Sequence, residues 1–241
     1  MICKSHEFLF ALQLKLMCME KIEKLQDLLR IKKEEDVASQ FREIADMLFM
    51  DFHIEKEGVR YDFLEVEFYF YSEKHLDFIT YPRNTKAGEW FFHMSGVDIS
   101  FESKKEEREG KEVAVFGGGI LVRSILKKEK ETQVIAGPYK CMDELFDKFD
   151  ALGTNLENFP ILKPNEKMSK EEIKSCVRWI PPFTGNFDEV KKERKEKELS
   201  EKYKKEFDSA KFEELINEKY RYYRADFECM SVKNYPAQPK F

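Results

Sequence analysis

Between Leu64 and Tyr71 the side chains alternate: Leu64, Val66, Phe68 and Phe70 are apolar, and Glu65, Glu67, Tyr69 and Tyr71 stand between them. A period of two belongs to an extended strand, whose successive side chains point to opposite faces. The segment therefore predicts a half-buried strand with two carboxylates on its polar face. Trp90 to Phe101 and Val113 to Leu126 are further β-rich runs, and the charged cluster from Lys104 to Lys111 between them reads as a solvated hairpin tip. Gly117, Gly118 and Gly119, ahead of the apolar run Ile120 to Ile125, permit a bulge or a close backbone approach. Near the end, Tyr220 to Arg224 is a short aromatic strand.

Helical spacing appears elsewhere. Ile22, Leu25, Leu28 and Leu29 recur at intervals of three and four, as do Phe41, Ile44, Ala45, Leu48 and Phe49, which predicts two amphipathic helices. A third helix is expected from Cys141 to Phe149, beyond Gly137 and Pro138. The charged stretch Asp188 to Asp208 reads as one exposed helix with a narrow seam of Leu199, Tyr203 and Phe207. With no internal repeat and no domain linker, residues 37–241 are expected to form one mixed domain behind a helical extension, 1–36.

The chain has 241 residues, 42% of them hydrophobic and 37% charged, with a formal charge of -5. It can bury a core and coat it, which excludes a disordered chain. No apolar stretch reaches the ~20 residues that cross a bilayer. Cys3, Cys18, Cys141, Cys176 and Cys229 are odd in number and lack metal-site spacing, so reduced thiols in a cytoplasm are expected. The segment from Glu7 to Met19 is apolar like part of a signal peptide, but it contains Lys15 and no small-residue cleavage site follows, so secretion is not expected. Met19 could equally be a second start.

Three features carry possible chemistry. Glu67 and Tyr69 share a strand face about 7 Å apart by strand rise, a carboxylate beside an aromatic plate that could act on a stacked ring. His93 and Ser95 stand between aromatic and glycine positions, while His75 falls in a loop. Arg123 lies inside an apolar run, where its charge requires an ion pair or a polar cleft; it could also hold an anion.

Leu64 to Tyr69, the aromatic run ending at Ser95 and Gly96, Ile120 to Ile125, Gly137 to Cys141, and Tyr220 to Arg224 occur in an order that resembles the alkyladenine (3-methyladenine) DNA glycosylase family. That family carries a Val-Glu-Thr-Glu-Ala-Tyr strand, a Tyr-rich hairpin, a Leu-Leu-Arg-Ala-Leu strand, a Gly-Pro-Gly-Lys-Leu turn and an Arg-Phe-Tyr-Val-Arg strand. The resemblance covers residues 37 to 233. It implies an α+β fold, a single domain with a mainly antiparallel curved β-sheet and flanking helices. It further implies a monofunctional DNA N-glycosylase that removes an alkylated or deaminated purine in base excision repair.

Under that resemblance Glu67 is the general base that activates water, and Arg123 is the arginine beside it. Tyr69 stacks on the extruded base, with Glu65 on the same strand face. His75 or His93 contacts the flipped nucleotide. Ser95 falls where the family has a wedging tyrosine, and Asp98 is the polar residue nearest the family's asparagine. An electron-rich ring such as Tyr69 would favour cationic alkylated purines. No metal or organic cofactor is implied. The implied partner is DNA, as a duplex with a flipped base or as a single strand, met through Lys127, Lys128, Lys130, Lys140, Arg221 and Arg224. Net negative charge and Ser95 leave two other readings open: a noncatalytic module binding a nucleotide, a modified base or a protein, and an N-glycosidase for free nucleosides or single strands.

Overall fold

The computed structural model describes residues 3–31, 36–108, 110–148, 158–166, 172–183, 188–203 and 207–226. In chain order its elements begin with α1 (Cys3–Leu28), α2 (Val37–Met50), β1 (Phe52–Lys56), β2 (Val59–Tyr71), β3 (Trp90–His93), β4 (Gly96–Ser100) and β5 (Lys104–Arg108). They continue with β6 (Lys111–Lys128), β7 (Thr132–Ala136), α3 (Pro138–Leu145), β8 (Ile161–Pro164), β9 (Ile173–Cys176), α4 (Glu189–Tyr203), α5 (Ser209–Ile216) and β10 (Arg221–Arg224). The chain is a single α+β domain in which an antiparallel sheet curls into a half-barrel.

Two long strands organise that sheet. β2 and β6 pair from Arg60 opposite Lys128 to Tyr71 opposite Gly117. Each is longer than any other strand and so pairs with several short ones besides its partner: β1 and β10 on β2, and β7, β4 and β5 on β6. The β1–β2 hairpin turns on Glu57 and Gly58, both at positive φ, as a two-residue turn matching the strand twist requires.

The expected alternation in β2 holds only beyond a bulge. The pairing register shifts around Leu64 and Glu65, and Arg123 of β6 has no opposite residue in β2. A bulge reverses which residues face inward. Tyr61 and Phe63 on one side of it, and Val66, Phe68 and Phe70 on the other, therefore share the main core with Phe41, Ile44 and Leu48 of α2. Leu64 instead packs with Leu126 and Tyr223 in a small separate cluster.

The second face of β2 is not solvated either, which corrects the half-buried expectation: Glu65 and Glu67 are both 0% exposed. Beside this face a second core joins Tyr71 and Phe78 to Ile180, Leu199, Tyr203, Phe212 and Ile216. Leu199 and Tyr203, the expected seam, are the buried residues of an otherwise largely exposed helix. The expected single helix through Asp208 also differs, because α4 ends at Tyr203 and Asp208 caps α5, its carboxylate accepting from the Lys211 amide. Residues 204–206 lie outside the described residues, as does Phe149, the expected end of the third helix.

The Lys104 to Lys111 cluster extends the sheet instead of forming a bare tip, since Lys104 to Arg108 pair with Lys111 to Phe116. Charges of opposite sign, such as Lys105 and Glu112, meet across that ladder at 2.5 Å. α1 begins earlier than the expected helix. Leu25, near its C-terminal end, enters the main core with Leu29 just beyond it, whereas Leu9, Leu12 and Leu16 are exposed. Cys18, Cys141 and Cys176 are free thiols; Cys229 and the Cys3 side chain lie outside what is described. Among the described residues no helix is long and apolar enough to cross a membrane.

The glycine triplet permits close strand approach. A Cβ on Gly118 would lie 1.9 Å from the Tyr69 carbonyl oxygen, and one on Gly117, at φ 134°, would lie 2.2 Å from the Ser103 side chain. Backbone cannot yield as a side chain can, so Gly118→Ala is expected to destabilise the fold by about 3 kcal/mol. Urea unfolding monitored by tryptophan fluorescence measures this; an unchanged midpoint would contradict the packing described.

Candidate functional site

The register sets a polar row across four strands. Asp98 of β4 lies opposite Leu121 of β6, Leu121 opposite Glu67 of β2, and Glu67 opposite Arg221 of β10. Facing residues in such a row share one side of the sheet. The bulge places Arg123 on this side also, its Nη1 donating to Glu67 Oε2 at 2.8 Å with its Nε 3.5 Å from Glu65 Oε1. Arg221 pairs closely with Glu65 and stands 3.6 Å from Glu67 Oε1. Ser124 donates to Glu65 Oε2, and the Tyr69 phenol donates to Glu67 Oε2 at 2.6 Å.

Two further buried ion pairs complete the face. Arg178 meets Asp77 at 2.7 Å, and Arg83 meets Asp98 at 2.8 Å. Four arginines are thus matched to four carboxylates. Breaking one such pair strands the other charge in a poor solvent and costs about 3–5 kcal/mol. Arg123 therefore serves an ion pair here, the structural alternative to holding an anion.

In the next row Tyr69 stands opposite Gly119, and Gly119 opposite Ser100. The missing side chain lets Asp98 and Arg83 close over the backbone: a Cβ on Gly119 would lie 2.7 Å from both Arg83 Nη1 and Asp98 Oδ2. These two side chains, so placed, form part of the wall of a pocket of about 90 Å³ lined by Tyr69, Ile79, Thr80, Tyr81, Arg83, His93, Ser95, Asp98 and Leu121. That is room for several waters, or for one small ring that displaces them.

Hydrogen bonds fix the pocket's proton positions. The Ser95 amide donates to His93 Nδ1 at 3.2 Å, so Nε2 carries the proton it donates to Asp98 Oδ1 at 2.9 Å. Arg83 is held by Asp98 and by the Tyr81 carbonyl, and its guanidinium lies 3.9 Å from the Phe91 ring centre. The opposite charges of Arg83 and Asp98 meet in the pocket wall and cancel. Thr80 differs from its neighbours: it is 2% exposed, and among the described residues its Oγ1 has no hydrogen-bond partner.

Of the residues singled out from sequence, Tyr69, His93, Ser95 and Asp98 meet at this pocket. Glu67 does not line it; its carboxylate lies behind the Tyr69 hydroxyl. Glu65 and Arg123 lie further along the row. One face of the Tyr69 ring is taken by Arg178, 4.7 Å from its centre, which opposes rather than favours a cation near that ring. Burial, then the Glu67 charge, push the Tyr69 phenol well above its ordinary range, so it stays protonated.

His75 lies away from the pocket. Its Nδ1–H donates to the Phe70 carbonyl at 2.6 Å, and its Nε2 accepts from the Tyr220 hydroxyl at 3.1 Å. The expected basic patch is largely neutralised: Lys127 pairs with Glu144 and Glu129, Lys128 with Asp62, and Arg224 with Asp226, while Arg221 is interior. Ile79, Thr80, Tyr81, Arg83 and Leu121 escaped the sequence reading. The loop carrying the first four has no periodicity, and only an arginine without a neighbouring acid marks it. Among the described residues no group of His, Cys, Asp or Glu could hold a metal ion.

Compared with protein-family models, with curated proteins and with solved structures, the chain matches none.

Burial lowers the pKa of His75, and of His53, below the ordinary 6.5. Both rings are therefore neutral in the fold while the unfolded chain titrates near 6.5. Above that pH they contribute no pH dependence. Below it the unfolded state binds more protons, so stability falls by up to ~1.4 kcal/mol per pH unit for each ring. Urea unfolding between pH 7.5 and 5.5 should show this slope, with a shallower one in His75→Gln; equal slopes would contradict the neutral assignment.

Proposed function

We propose that this protein binds an uncharged heteroaromatic ring the size of a single nucleobase in the pocket between Tyr69 and Asp98. The observation that carries this reading is the Thr80 hydroxyl, buried in the pocket wall with no hydrogen-bond partner among the described residues. A buried hydroxyl without a hydrogen bond costs about 1–3 kcal/mol unless something supplies one. Aromatic and apolar walls from Tyr69, Tyr81, Ile79 and Leu121 suit a flat ring, and Thr80, His93 and Ser95 suit polar atoms on its edge. The balanced charge of Arg83 and Asp98 gives a phosphate no advantage inside the pocket.

Hydrolysis of an N-glycosidic bond is a second reading, favoured by one detail of Glu67. Its Oε2 is engaged by Arg123 and Tyr69, whereas among the described residues its Oε1 accepts no hydrogen bond, with the Arg221 guanidinium 3.6 Å away. A general base needs a lone pair that water can reach, and the Tyr69 hydroxyl connects this carboxylate to the pocket. Against it stands the absence of any exposed surface on Glu67: attacking water reaches this oxygen only if Tyr69 swings aside.

Calorimetric titration with free nucleobases and nucleosides tests the first reading. At least one is expected to bind, about five- to tenfold more weakly to Thr80→Val, which keeps the shape and removes one hydrogen bond. Gly119→Ala, whose Cβ would push Arg83 and Asp98 out of their places in the pocket wall, is expected to abolish binding. Failure of every base to bind, or equal binding by both variants, would sink the proposal. Release of base from an alkylated oligonucleotide, lost in Glu67→Gln but kept in Tyr69→Phe, would establish the second reading instead.

A further inference from the structure

α1 carries two apolar stripes on opposite sides. On one side Lys21 pairs with Asp51 and donates to the Asn165 carbonyl, Leu25 is buried in the main core, and Leu28 packs against that core. This side holds the helix to its own domain. On the other side Leu9, Leu12, Leu16 and Met19 are exposed by 60%, 45%, 52% and 48%, with Ile22 beside them at 45%. At ~3.6 residues per turn the two stripes lie about half a turn apart around the helix axis. Large apolar residues scattered over a surface are ordinary, whereas a line of them along one helix face marks a contact.

The spacing names the occupant. Leu9, Leu12, Leu16 and Met19 stand three, four and three residues apart, the interval at which one helix presents a continuous seam to another. Positions flanking such a seam set partner choice and orientation through their charges. Here they hold Lys15 on one side and Glu20 on the other. Both are exposed, and among the described residues neither forms an ion pair. In a parallel pair of helices a flanking residue meets the one five places further along its partner. Lys15 therefore faces Glu20 of an identical helix, and Glu20 faces its Lys15. An antiparallel pair would bring like flanking positions together instead.

We propose that α1 is the docking surface for a second copy of this chain, the two helices running parallel along the seam from Leu9 to Met19. Each domain sits on the far side of its own helix, so the two domains lie outside the pair and leave the seam open. Glu23, at the next seam position, ends it, because two carboxylates would meet there. A lipid surface fits less well: an interfacial helix is rich in Lys and Arg on its polar face, whereas Glu20 and Glu23 border this stripe on a chain of formal charge -5. Five side chains, each about half exposed, offer roughly half of the ~800 Å² that a standard interface takes from each partner, so the pairing is reversible.

Sedimentation velocity of the full chain from about 1 μM to about 200 μM tests this. The sedimentation coefficient is expected to rise with concentration from monomer to dimer. Leu12→Glu and Leu16→Glu, at exposed positions, should each keep the chain monomeric throughout and leave its urea midpoint unchanged. Lys15→Glu and Glu20→Lys should each weaken association about tenfold, because each sets like charges in both cross-helix pairs. An equimolar mixture of these two variants should associate as tightly as the original chain, since every cross-helix pair is then opposite in sign. A chain monomeric at the highest concentration, seam variants that associate as before, or a mixture no tighter than its components would overturn the proposal. Flotation with vesicles of phosphatidylcholine and phosphatidylserine, lost in Leu16→Glu and seen without self-association, would assign the stripe to a lipid surface and overturn it likewise.

Discussion

The interaction on which the rest depends is the pairing of Glu65 and Glu67 with Arg123 and Arg221 beneath the surface of the sheet. Two neighbouring carboxylates on one strand face repel each other and demand solvent unless cations meet them. The bulge opposite Glu65 turns Arg123 toward them, and β10 delivers Arg221 directly opposite Glu67. This arrangement allows both faces of β2 to be buried: one against α2 in an apolar core, the other in a polar interior where each acid has its arginine.

The pocket is a consequence of that polar interior. The row carrying Glu67 ends at Asp98, which holds both Arg83 and His93. One row further along the strands, Gly119 offers no side chain, which lets Asp98 and Arg83 pack down onto the backbone there. Held so, this charge-balanced pair forms one wall of the small pocket beside Tyr69. Tyr69 is the hinge between the two regions, its hydroxyl on Glu67 and its ring in the pocket wall, with Arg178 against the ring face.

Much of the sheet was legible in sequence because alternation is a local signal. The strands around Val66, Ile120 and Tyr222 appear where the pattern placed them, and the glycine triplet marks close backbone contact. Two things were not legible. A bulge changes which side a residue faces without changing composition, so Leu64 read as a member of the main core. Burial of a charged face depends on partners distant in sequence, and Arg221 is separated from Glu67 by most of the chain. Patterning singled out Tyr69, His93 and Ser95 one by one, whereas Asp98 and the grouping of the four were implied only by the resemblance to the glycosylase family. Thr80 and Arg83 reach the same place from a loop whose path is fixed by tertiary contacts alone, and nothing in their local sequence announces it.

Methyl nuclear magnetic resonance offers the most direct measurement, because Ile79, Thr80 and Leu121 place methyl groups in the pocket wall while Val66, Ile120 and Ile125 place theirs in the opposite core. Titration with a nucleobase should shift the first set in proportion to occupancy and leave the second set in place. Shifts scattered over both faces, or confined to the core behind β2, would contradict a neutral ring site between Tyr69 and Asp98.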